Sequence, residues 1–125
     1  MKRIILFLLA SLLVCQFASY VYAADVVKRE SEEFYRYHEF QRSDGKGWLG
    51  TGETITTCDS VKTYEQDTDT ETSSSMISDV AVDTDTTRCK YKLKAGTSGK
   101  EYYIKIRIIS STGQKFEDVL TLEVF

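Results

Sequence analysis

His38 is the only imidazole in the chain. An imidazole is the side-chain type best suited to move a proton. It lies in an aromatic run, Phe34-Tyr35-Arg36-Tyr37-His38-Glu39-Phe40, without a partner motif. No serine occupies a Gly-x-Ser-x-Gly elbow, and neither Cys58 nor Cys89 carries a local nucleophile signature. His38 therefore reads as a strand histidine without a reactive role. Glu117 and Asp118 could in principle act as the carboxylate pair of a glycosidase. Neighbours on a strand point to opposite faces, so the two cannot act on one bond. Asp67-x-Asp69-x-Glu71 opens like a calcium loop, but Thr72 stands where that loop needs glycine and Ser78 where it needs a bidentate glutamate. The segment reads as a solvated acidic loop, with a weak non-EF calcium site joined by Asp83 and Asp85 as the alternative. Gly96-Thr97-Ser98-Gly99 precedes a strand and not a helix, which makes it a turn and not a phosphate cradle. No catalytic residue, cofactor or metal is expected, and the chain does not read as an enzyme.

The cysteines carry the remaining chemistry. There are three, and Cys15 falls inside an N-terminal segment with the order of a secretory signal: Lys2 and Arg3, an apolar and small-residue stretch from Ile4 to Val14, then Val21-Tyr22-Ala23. Cleavage is expected after Ala23, with Ala24 as the next choice. An uncleaved anchor is disfavoured because the apolar stretch falls short of about 20 residues. Acylation of Cys15 is disfavoured because Val14 precedes it. Removing residues 1–23 leaves 14 basic residues against 19 acidic ones, a net charge of −5. That sign argues against a nucleic-acid-binding surface, because phosphate binding needs a basic stripe. Cys58 and Cys89 remain, and in an oxidising compartment two cysteines are expected to form one disulfide. A zinc site is not expected, since there is no Cys-x-x-Cys pair and His38 is alone.

The elements that must position these residues are strands. Residues 24–33 are charged, lack alternation and read as a flexible leader, with a possible helical turn. Phe34–Phe40 suits a first strand, Ser43–Gly47 a turn, and Glu53–Val61 a second strand. Residues 65–75 are polar throughout and read as a loop. Met76–Val82 follows as a short strand. Along Thr87–Lys94, Cys89, Tyr91 and Leu93 share one face and Arg88, Lys90, Lys92 and Lys94 the other, the mark of a half-buried antiparallel strand. Tyr102, Ile104, Ile106 and Ile108 repeat the pattern, and Leu120, Leu122 and Val124 close the chain. Strands at this spacing predict an all-β, Ig-like or fibronectin type III-like antiparallel sandwich of about 6–7 strands over 34–125, preceded by an N-terminal signal helix. Tyr102, at the head of its strand behind Gly99-Lys100-Glu101, is expected as a tyrosine corner whose hydroxyl bonds back to the preceding loop. Phe34, Tyr35, Tyr37, Phe40 and Trp48 are expected mainly in the core, with exposed contact positions as the alternative.

From Glu33 onward the chain resembles a family of small phage-encoded Ig-like proteins called fibre–tail adaptors. The resemblance rests on FYRYHEF, WLGTGETI and AGTSGKEYYIKIRIISSTGQKFEDVLTLEV, and is weakest over 62–85. It implies a β-sandwich virion component that joins other tail proteins and has no active site. With the N-terminal signal, the leading expectation is an exported, non-enzymatic β-sandwich acting through protein partners or self-assembly, located in the periplasm, at the cell surface or outside the cell. The alternatives are a phage or prophage tail structural protein and a carbohydrate- or calcium-dependent adhesion module.

Overall fold

The computed structural model describes residues 24–41 and 47–125. The signal-helix reading of 1–23 and the turn reading at 43–46 lie outside the described residues. The strands are β1 (Val26–Lys28), β2 (Phe34–Glu39), β3 (Ile55–Glu65), β4 (Ile77–Val82), β5 (Arg88–Leu93), β6 (Glu101–Ser110) and β7 (Lys115–Val124), with a one-turn helix α1 (Ser73–Met76) ahead of β4. They form a sandwich of two sheets, ordered β1-β7-β6-β3 and β2-β5-β4. Every pairing is antiparallel except β1 with β7.

The inner faces follow the period of two in the sequence. In β6, Tyr102, Ile104, Ile106 and Ile108 are buried while Lys105 and Arg107 face water. β-branched side chains suit this pleated position, and each full burial contributes roughly 1.5–3 kcal/mol. β6 pairs with β3 on one side and β7 on the other, so this apolar row forms the centre of the larger sheet. Across the core stand Cys89, Tyr91 and Leu93 of β5, all fully buried.

Four departures from the sequence reading have physical causes. Within the stretch read as a flexible leader, Val26–Lys28 forms a strand, parallel to Leu122–Val124, with Val26 and Lys28 inward. Three residues are too few for alternation to register, and a lysine disguises the inward phase. The Lys28 ammonium donates to the carbonyls of Arg29, Glu30 and Ala95, which satisfies it in place of water. Burial lowers its pKa, while Glu32, Glu30 and Glu33 oppose that shift. Second, β3 runs on to Glu65, and register shifts interrupt it between Ile55 and Thr57 and between Cys58 and Ser60. The second bulge changes the phase, so that Cys58 reaches the disulfide while Val61 and Thr63 are buried further along. Third, the polar stretch after β3 ends in a helical turn, where Thr72 and Ser73 hydrogen-bond Thr63 and Met76 enters the core. Fourth, β7 starts at Lys115, five residues before Leu120, because the Gly113 hairpin (φ 82°) holds it in register with β6.

Three surface carboxylates, Glu53 and Glu65 partly covered and Asp85 exposed, are held below their ordinary range: Glu53 by the Thr112 hydroxyl, Glu65 by Lys100 and Asp85 by the Thr87 hydroxyl. The folded state keeps them ionised to lower pH than the unfolded chain does. Their contribution is therefore complete above the ordinary values of 4.5 for Glu and 3.8 for Asp. It is lost as pH falls through the lower folded values. Urea midpoints measured from pH 7 downward are expected to drop through this acid range, and less steeply for Thr112→Val. An identical profile for that variant would remove Glu53 from the account.

Candidate protein-contact surface

The aromatic part of the outer face of the smaller sheet is built from β2 and β5, with β4 completing that sheet. In their register Tyr35 stands opposite Lys92 and Tyr37 opposite Lys90. Both tyrosines are nearly half exposed, at 46% and 48%. The expectation of an aromatic core is therefore corrected: Phe40 is buried and Phe34 packs against the core, but Tyr35, Tyr37 and Trp48 face outward. The phase of β2 decides this, because Phe34, Arg36 and His38 occupy its inner side. The Lys90 ammonium lies over Tyr35 (4.6 Å) and Tyr37 (5.8 Å), and Lys92 over Tyr35 (5.9 Å). Such cation–π contacts contribute about 0.5–1 kcal/mol each at exposed sites. Arg88 joins the row over Tyr37 and is paired with Asp83 at 3.0 Å. Lys92 pairs loosely with Glu33 at 3.8 Å. Among the described residues, Lys90 has no carboxylate within ion-pair distance.

One lateral side of the sandwich carries a seam between β2, an edge strand of the smaller sheet, and β7, which lies next to the edge strand β1 of the larger sheet. His38 Nε2 and Asp118 Oδ2, on opposite sheets, meet across it at 2.7 Å. Asp118 Oδ1 also accepts from the Val119 N–H, and the His38 ring meets Phe40 edge-on at 5.0 Å. The pair is a clasp between sheets. Sequence gave no hint of it, since 80 residues separate the partners. Glu117 points elsewhere, toward Arg107.

On the inner side of the β2–β5 pair, where Arg36 stands opposite Tyr91, the Arg36 Nε and the Tyr91 hydroxyl are buried without a hydrogen-bond partner among the described residues. Burial raises the Tyr91 pKa. The Arg36 charge lies close enough to oppose that shift, but hydrogen-bond geometry is not met. A buried unsatisfied hydroxyl costs about 1–3 kcal/mol. Tyr91→Phe is thus expected to raise the unfolding free energy by about 1 kcal/mol, read from the urea midpoint. A loss of stability would mean that the hydroxyl has a partner.

Cys58 and Cys89 form a disulfide with Cα atoms 5.9 Å apart, joining β3 of one sheet to β5 of the other. Tyr102 is buried at the head of β6, and its hydroxyl accepts the Thr97 N–H at 2.9 Å. In the acidic loop, Glu65 pairs with Lys100 and Glu71 with Lys62. Among the described residues, no three His, Cys, Asp or Glu side chains gather as metal ligands.

The family model described as podophage GP4 fiber-tail adaptor protein gp77 matches residues 37–123, from the middle of β2 almost to the end of β7. No curated protein and no solved structure matches the chain.

Proposed function

Because the chain belongs to the podophage fiber-tail adaptor family, we propose that it is a structural, non-enzymatic tail component that joins neighbouring tail proteins through protein contacts. The match over 37–123 carries this reading, since it takes in strands of both sheets and not one local motif. Exposed tyrosines with Arg88 beside them are residue types that protein interfaces favour.

The sandwich is Ig-like in this reading. Its β1-β7-β6-β3 and β2-β5-β4 sheets, with β1 parallel to β7, support that assignment. Tyr102 takes the place of the tyrosine corner. The disulfide, between the third and fifth strands, departs from the B–F bridge of antibody domains.

The order of residues 1–23 favours a second reading, an exported module of the same fold with a mature start near Ala24. One experiment separates the two. Mass spectrometry on purified virions and on fractions of the producing cells is expected to find the chain in the virion. Recovery only in an exported fraction, starting near Ala24, would replace the tail role by the second reading.

A further inference from the structure

The geometry points to the free edge of β2 as a docking site for an extended, carboxylate-bearing strand of a partner protein. This rests on the adaptor reading and adds where and by what chemistry a partner binds. β2 is the end strand of its sheet, and nothing among the described residues pairs with its second side. Phe40 donates its N–H to Thr87 O, and the β2–β5 register continues from there. Alternation along an antiparallel pair then aims the backbone groups of Tyr35, Tyr37 and Glu39 away from β5. These three residues offer the donors and acceptors that an added strand needs.

The charges along this edge select the occupant. On the outer face, Lys90 lies across both tyrosines toward the edge and lacks a carboxylate among the described residues. On the inner side, Arg36 lies half buried, its Nε covered by the fold and its guanidinium without an ion-paired carboxylate among the described residues. A strand laid along β2 would carry side chains past both cations. Carboxylates there would pair with charges that the fold leaves open, whereas lysines would meet like charge. The carboxylates beside this edge are already engaged, Glu39 by Arg88, Glu33 by Lys92 and Asp79 by the Tyr35 hydroxyl, which leaves Arg36 and Lys90 as the cations there without a carboxylate among the described residues. Natural sheets usually blunt a long edge by inward charges or lysines. Arg36 and Lys90 do this against an apolar or basic strand while leaving the edge open to an acidic one.

The test uses the full protein and three synthetic heptapeptides: alternating threonine and glutamate, alternating threonine and lysine, and the glutamate peptide with alternate backbone amides methylated. Hydrogen exchange at Tyr35, Tyr37 and Glu39 is expected to be fast in the free protein. It should slow with the glutamate peptide only, and Lys90→Glu should weaken that binding roughly three- to tenfold. Equal binding of the methylated or lysine peptide, or protection at other strands, would overturn the proposal. So would slow exchange before any peptide is added, because the edge would then be filled by the protein's own residues or by a second copy. If virions contain the protein and incorporate Lys90→Glu at the wild-type level while no peptide binds, the docking site fails and the adaptor role stands. Absence from virions removes the adaptor role whatever the peptides do.

Discussion

Replacing Cys58 and Cys89 together by alanine is expected to lower the unfolding free energy by about 3–4 kcal/mol. The bond closes a loop with a sequence separation of 31 residues. Restricting the unfolded chain by a loop of that length is worth roughly 3.7 kcal/mol at 25 °C on the loop-entropy scale. Against a net stability of about 5–15 kcal/mol, that is a large share. The β-rich circular dichroism should persist, because the core rows of β5 and β6 remain apart from Cys89 itself. Urea unfolding of the double variant, beside the wild type with and without reductant, gives the measurement. Two reactive thiols in the folded wild type, or an unchanged midpoint after reduction, would contradict it. The bond also shapes the contact surface. It ties the sheets together from β3, at the edge of the larger sheet away from β1, and leaves the seam between β2 and β7 to the His38–Asp118 clasp. The side proposed to receive a partner is therefore not the side fixed covalently.

Legibility of the fold in the sequence followed the length and purity of alternation. β5 and β6 were readable residue by residue because each carries an unbroken apolar row against a charged one. β3 was readable only in part, since a bulge at Cys58–Ser60 changes the inward phase and no local pattern announces such an insertion. β1 was hidden by its brevity and by Lys28, whose inward position depends on the distant Ala95 carbonyl. The contact surface was legible as a set of residues but not as a face. FYRYHEF has aromatics in both phases, and only the pairing with β5 decides that Tyr35 and Tyr37 stand outside. The open edge of β2 is a property of sheet order, which local patterning does not encode.

Tyr102→Ala is expected to cost about 3–5 kcal/mol, the range for truncating a buried aromatic side chain, and Tyr102→Phe about 1 kcal/mol. The difference separates packing from the hydroxyl. Tyr102 is 1% exposed at the head of β6, between Glu65 of β3 and Leu122 of β7. Truncation would leave a cavity beside the base of the core, where Val124 and Met76 already approach Gly96 closely. A Cβ on Gly96 would meet Val124 Cγ2 at 2.9 Å and Met76 Cε at 3.2 Å, and its φ of +93° also favours glycine. The turn cannot move inward to fill the space without breaking the bonds that seat it, from Gly99 N–H to Val124 O and from Val124 N–H to Lys100 O. The phenylalanine variant keeps the ring and loses only the acceptor for the Thr97 N–H, which water can replace because Thr97 is exposed. Faster exchange at the Thr97 amide should accompany its small loss of stability. Tyr103, one residue on and facing outward, supplies the comparison: Tyr103→Ala should change stability by about 1 kcal/mol or less. If the alanine variants at 102 and 103 unfold at similar urea concentrations, or if Tyr102→Phe costs as much as Tyr102→Ala, the packing role assigned to this ring is wrong.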